Sequence, residues 1–124
     1  MKDEGGKKLR DLRARTKDFA LRVVRLYQAL PKGDGVAQVL GRQLLRSGTS
    51  VAAHYREACR AKSNPDFITK LEGALQELDE TDLWLELLGD AGTIKPARAK
   101  PLRTETDELI AILVTMVRKI KGSR

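Results

Sequence analysis

With 124 residues, 41% of them hydrophobic and 33% charged, the chain has material for one core and none for a second domain. A single cysteine, Cys59, excludes an intramolecular disulfide framework and fits a reducing compartment. The formal charge of +7 points toward polyanionic or acidic partners, and the longest apolar run, Leu109 to Val117 with Thr115 inside it, is far short of the ~20 residues of a membrane span.

No apolar h-region follows the basic start, so a soluble, cytoplasmic protein without a membrane role is expected. Helix formers dominate, no run alternates with period two, and the reading is all-α. After a flexible basic N-terminus (1–7), a first helix is expected over about 8–30, with Leu12, Phe19, Val23, Leu26, Tyr27 and Leu30 inward and Pro31, Gly33 and Gly35 behind it. A second, over 36–61, carries two rows of inward residues seven apart: Ala37, Leu44, Val51 and Ala58 on one, Gly41, Gly48 and Tyr55 on the next. Glycine costs roughly 1 kcal/mol against alanine inside a helix, so Gly41 and Gly48 predict a close neighbour there. The third helix, over 64–89, has Ser63 or Asn64 as cap, Pro65 in the first turn where an amide hydrogen has no partner, and Asp66 at the positive end of the dipole. Its inward set is Phe67, Leu71, Leu75, Leu78, Leu85 and Leu88. Pro96 and Pro101 predict a non-helical linker from Thr93 to Pro101. Thr104 with Asp107 or Glu108 then opens a fourth helix over 103–121, facing inward with Leu109, Leu113, Met116, Val117 and Ile120, before a tail at 122–124. Short links imply antiparallel neighbours, hence one up-down-up-down four-helix bundle over 8–121.

Charge is segregated along the chain. Residues 1–62 hold fifteen Lys and Arg against six acids, 63–92 one against eight, and 93–124 eight against three, or +9, −7 and +5. At ~100° per residue, Arg42, Arg46, Arg56 and Arg60 fall within about 40° of one line opposite the Leu44–Val51–Tyr55 seam. Glu72, Asp79, Glu86 and Asp90 form an acidic line on the third helix. The arginine stripe has two main readings, a solvated face with weak ion pairs of about 0.2–1 kcal/mol each or a footprint for phosphate backbones, assisted by Arg22, Arg25, Arg118 and Lys119, with binding to a membrane surface as a minor third.

Leu83, Trp84 and Leu87 lie away from the inward seam of the third helix, and Ile110, Ile112 and Val114 broaden that of the fourth. Either Trp84 tucks against a flanking helix as core, or these residues form a second buried face against another copy of the chain. Enzyme chemistry finds little support. A di-iron site needs Glu-x-x-His pairs, and His54 has none; it reads as a partly buried, hydrogen-bonded structural residue. Cys59 reads as a small buried apolar residue, Ser47, Thr49 and Ser50 as hydroxyls bonding back to helix carbonyls or packing at an interface. No metal or cofactor motif is present in the sequence.

The segments FALRVVRLYQALPK (Phe19 to Lys32), LGRQLLRSGTSVAAHYREACRA (Leu40 to Ala61) and DFITKLEGALQELDETDLWLELL (Asp66 to Leu88) closely resemble bacterial four-helix-bundle proteins related to those encoded in intervening sequences of large-subunit ribosomal RNA genes. The resemblance spans about residues 17 to 121; its most specific part is Arg46 to Ala58, with asparagine usual in that family where this chain has His54. The chain is also similar to the accessory proteins of diversity-generating retroelements, through Gly92 to Pro96 and the fourth helix. What the resemblance implies is a homopentamer, RNA or DNA binding and a reverse transcriptase as partner, with no assigned activity. Two functions are therefore expected to compete: a non-enzymatic nucleic-acid-binding accessory protein, and a protein-interaction scaffold whose charged stripes serve subunit assembly.

Overall fold

Helices run over Lys2–Gln28 (α1), Gly35–Cys59 (α2), Asn64–Asp90 (α3) and Pro96–Gly122 (α4) in the computed structural model, which describes residues 2–122. Local chemistry sets their ends. The Asp34 carboxylate accepts from the amide of Ala37 at 3.1 Å and caps α2, and the Ser63 hydroxyl accepts from the amide of Asp66 at 3.1 Å and caps α3, ahead of Pro65. α3 stops in a left-handed residue, Gly92 (φ 75°), whose amide bonds to Gly89 O while that of Thr93 bonds to Leu88 O, each at 3.0 Å. That pairing satisfies carbonyls the helix end leaves open, and a side chain at Gly92 would strain it.

α2 packs extensively on α1 and α3, and α3 on α4, whereas α1 and α4 are the most loosely packed of the helix pairs in contact. Gly41 faces Tyr27 and Leu30, and Gly48 faces Val23; Ser47 meets Thr81 and Glu57 meets Lys70; Asp82 meets Arg103 and Glu72 meets Lys121. Rising numbers on one helix meet falling numbers on the next, which is consistent with up-down-up-down topology. Both expected rows of α2 are buried, as are Leu12, Phe19, Val23, Leu26, Leu30, Leu71, Leu78, Leu85, Leu88, Leu109, Leu113, Met116 and Val117. Phe67, Leu75, Tyr27 and Ile120 are only partly buried; Ile68, Ala74 and Thr81 take inward places on α3 instead. The heptad rows explain this, because Leu71, Ala74, Leu78, Thr81, Leu85 and Leu88 alternate spacings of three and four.

Among the described residues each helix also buries one serine or threonine: Thr16, Ser47, Thr81 and Thr106. Ser47 and Thr81 share a 2.8 Å hydrogen bond across α2 and α3, while Thr49 and Ser50 bond back to the carbonyls of Leu45 and Arg46 at 2.7 Å. Tyr55 is fully buried and its hydroxyl donates to Leu9 O at 3.2 Å, tying α2 to α1. Burial, and secondarily the neighbouring Cys59 thiol, pushes the Tyr55 phenol up from its ordinary value. The folded-state value thus exceeds that of the unfolded chain, about 10. Its contribution to stability is fully present below pH ~10 and is lost as pH rises further, at up to about 1.4 kcal/mol per pH unit. Urea unfolding at pH 8, 10 and 11 should therefore show a steeper alkaline loss for the native chain than for Tyr55→Phe; parallel curves would contradict this account.

Two boundaries differ from the sequence expectation by more than two residues. α1 begins at Lys2 rather than near 8, so 2–7 continue the helix, while Met1, Ser123 and Arg124 lie outside the described residues. α4 begins at Pro96 rather than 103, and Pro101 lies within it. Pro96 stands at the first helical position, where a missing amide hydrogen costs nothing. Pro101 forfeits one bond to Ala97 O, and the burial of Ala99 and Leu102 on the same row as Thr106 and Leu109 offsets that loss. Arg103 donates to Asp82 at 2.9 Å and fastens the same turn to α3. Thr104 is accordingly an exposed mid-helix residue, not a cap.

Candidate nucleic-acid interface

The basic side chains divide into those held by carboxylates of the same chain and those that are not. Arg15 on α1 forms a two-pronged contact with Glu105 on α4, Nε to Oε2 at 2.7 Å and Nη2 to Oε1 at 2.8 Å, and reaches Glu108 at 2.9 Å. Arg103 holds Asp82, Lys70 holds Glu57 and Lys121 holds Glu72. Arg46, one of the four stripe residues, spans to α3, where Nη1 lies 3.3 Å from Glu77 and Nη2 bonds Glu80. Hydrogen bonding to Glu105, Glu80 and Asp82 raises the proton affinity of Arg15, Arg46 and Arg103 respectively, as charge-assisted bonds do.

Arg22, Arg25, Arg42, Arg56, Arg60, Arg118 and Lys119 have no such partner among the described residues. All are exposed except Arg22, which is half-buried. The expected single stripe thus resolves into α2 guanidinia at both ends of the bundle. Arg42 and Arg60 are eighteen residues apart, about 27 Å at ~1.5 Å per residue, with Arg46 between them already engaged. Arg56 and Arg60 stand at the last turn of α2. Ile120 at the end of α4 shares a cavity of about 360 Å³ with Cys59 and Lys62, so Arg118 and Lys119 belong to this same end of the molecule.

At the opposite end the gap between α1 and α4 opens into a groove of about 220 Å³ lined by Arg22, Arg25 and Leu26 from α1 and by Arg98, Pro101 and Leu102 from α4. Arg98 was not among the expected binding residues, because Pro96 and Pro101 placed it in a linker. The signal that would have found it is the spacing Ala99, Leu102, Thr106, Leu109, Leu113, which extends the heptad row back through Pro101.

Of the six residues expected at an oligomer interface, Leu83 and Leu87 are exposed, at 45% and 37%. Trp84, Ile110, Ile112 and Val114 are half-buried, and the first three pack against the chain's own core. The indole N–H of Trp84 is buried and has no hydrogen-bond partner among the described residues. Leu21, Val36 and Val39 are exposed apolar residues that the heptad pattern did not single out. His54 departs from the expected hydrogen-bonded role: Nδ1 is buried without a partner against Gly73, and Nε2 lies 3.8 Å from Glu77, too far for a hydrogen bond. Gly73 leaves room for the ring, since a Cβ there would lie 3.1 Å from Nδ1 and Cε1. Cys59 is half-buried rather than buried. Among the described residues no cluster of His, Cys, Asp or Glu could hold a metal ion, and no helix is long and apolar enough to cross a membrane.

The model of the 23S rRNA-intervening sequence protein family matches residues 10–115. A protein with unknown function from the S23 ribosomal protein family of Bacteroides thetaiotaomicron is similar in crystal structure, with 36% sequence identity and a TM-score of 0.83 over 90% of this chain and 98% of that one. Comparison with curated proteins gives no match.

Proposed function

Because the chain belongs to the family of 23S rRNA-intervening sequence proteins, we propose that it is a non-enzymatic, cytoplasmic, oligomeric accessory protein that binds RNA or DNA through the phosphate backbone. The observation that carries this reading is the set of guanidinia left without a carboxylate, while Arg15, Arg46 and Arg103 are consumed in joining helices. An arginine kept exposed and unpaired retains its donors for phosphate, which it can grip with two parallel bonds. Only 4% of residues are aromatic, so stacking on bases contributes little and binding is tolerant of sequence. The resemblance to retroelement accessory proteins adds a homopentamer as the assembly and a reverse transcriptase as a candidate partner; an association with rRNA intervening sequences follows from the family. Repetition of the arginines around a closed assembly turns weak single contacts into tight collective ones.

Fluorescence anisotropy with a labelled single-stranded RNA between 50 and 200 mM salt tests the reading. The native chain should show a steep salt dependence, and Arg42→Gln/Arg56→Gln/Arg60→Gln should lower the log–log slope by roughly two, at about 0.7 per phosphate on a single strand. Arg46→Gln should act on thermal stability rather than on the slope. Unchanged affinity and slope in the triple variant, with helicity intact, would reject the α2 assignment.

The scaffold alternative draws on the acidic edge of α3, where Asp79, Glu86 and Asp90 stand exposed beside Leu83 and Leu87. There the unpaired arginines would meet a neighbouring copy, and salt would loosen the oligomer itself rather than a bound strand.

A further inference from the structure

The groove between α1 and α4 is chemically divided. Toward one end Arg15 is neutralised by Glu105 and Glu108; toward the other, Arg22, Arg25 and Arg98 line one concavity with no carboxylate or imidazole in it. Like charges gathered in one cleft repel one another, and among the described residues no carboxylate lines the groove or pairs with these three arginines within 4 Å. The first turn of α4 adds to the imbalance: it contains Arg98 and no acid, at the helix end that already favours anions. Leu26, Pro101 and Leu102 supply an apolar floor that lowers the local dielectric and strengthens contacts to an anion. At about 220 Å³ the concavity is smaller than a pocket for a drug-sized ligand, about 300–1,000 Å³, and suits a phosphoryl group with the sugar that carries it.

Resting on the nucleic-acid reading above, we infer that the Arg22–Arg25–Arg98 groove holds the terminal phosphate of a nucleic-acid strand in preference to an internal one. An internal phosphodiester brings one negative charge to three guanidinia. A terminal monoester brings about 1.5 to 2 at neutral pH, with three terminal oxygens as acceptors, and therefore satisfies more of the cluster. Arg22 and Arg25, three residues apart on one helix, and Arg98 across the groove approach the group from two sides. The other unpaired arginines are left to follow the backbone of the same strand.

The test uses the full chain and 12-nucleotide RNAs of one sequence carrying 5′-hydroxyl, 5′-phosphate or 3′-phosphate ends, with the fluorophore on the opposite end, read by anisotropy at low salt. One phosphorylated end should bind roughly two- to fivefold more tightly than the hydroxyl form, and the 5′ and 3′ arms identify which. Arg22→Gln/Arg25→Gln/Arg98→Gln should erase that difference while 5′-hydroxyl RNA still binds through Arg42, Arg56 and Arg60, and Arg98→Gln alone should reduce it. The advantage should shrink below pH 6, where the monoester dianion takes up one proton and its charge falls toward that of a diester. Equal affinity for all three RNAs, or a preference that survives the triple variant, would overturn the terminal-phosphate inference and leave backbone binding standing. Failure of every RNA to bind would overturn both.

Discussion

Gly48→Ala is expected to destabilise the bundle by about 1–3 kcal/mol, even though alanine is the better helix former by roughly 1 kcal/mol. A Cβ built at Gly48 would lie 2.7 Å from Cγ2, 2.8 Å from Cγ1 and 3.0 Å from Cβ of Val23. Val23 is fully buried and, being β-branched, has little freedom to turn aside, so α1 and α2 themselves must separate. Gly41→Ala provides the comparison. Its Cβ would meet Leu30 Cδ1 at 2.5 Å, the far end of a flexible side chain, and the Tyr27 ring at 3.0 Å, which can tilt. Gly41→Ala should therefore cost less than Gly48→Ala, and Val23→Ala should partly rescue the latter in a double-mutant cycle measured by urea unfolding. A Gly48→Ala chain as stable as the native one, or no coupling to Val23, would show that the helices do not need their close approach.

Introducing charge on the outer edge of α3, Leu83→Glu/Leu87→Glu, is expected to convert the proposed oligomer into a folded monomer of 13.8 kDa. These two side chains are the exposed members of the expected interface and sit beside Asp79, Glu86 and Asp90, so two further carboxylates there would desolvate badly and repel across any contact between copies. Because neither leucine belongs to the buried core, helicity and cooperative unfolding should survive. Light scattering after size exclusion reads the mass directly. An unchanged oligomer would transfer the interface to another surface, with Leu21, Val36 and Val39 the next apolar residues to substitute. If monomerisation also weakens RNA binding, the loss measures how much of the affinity comes from repetition rather than from single sites.

Most of the helical architecture was legible before any coordinates. Every member of the two heptad rows of α2 is buried, from Ala37 to Ala58, because a residue's place on a 3.6-residue helix follows from its spacing alone; Ser47, outside both rows, is buried as well through its bond to Thr81. Ser63, Pro65 and Asp66 announced the start of α3 for an equally local reason, the unmet amides of a first turn. The glycines at 41 and 48 even pointed to a close neighbour, though not to Val23 as the side chain it would meet.

Proline misled where its local rule was outweighed. Pro101 does remove a hydrogen bond, but the loss is confined to one turn, whereas Ala99 and Leu102 are buried by contacts with distant parts of the chain that no local rule registers. That single misreading also concealed Arg98 and hence the arginine groove. The sequence by itself determined the number of helices, the heptad rows of α2 and the sign of the charge on each segment, since these depend on residue type and spacing. Only the tertiary structure decided which arginines are spent: Arg46 looks no different from Arg42 along α2, and what separates them is that Glu77 and Glu80 of α3 come within reach of one guanidinium and not the other. Such pairing depends on the register between helices more than thirty residues apart in the chain, and it is this register that leaves Arg22, Arg25 and Arg98 facing one another with no carboxylate between them.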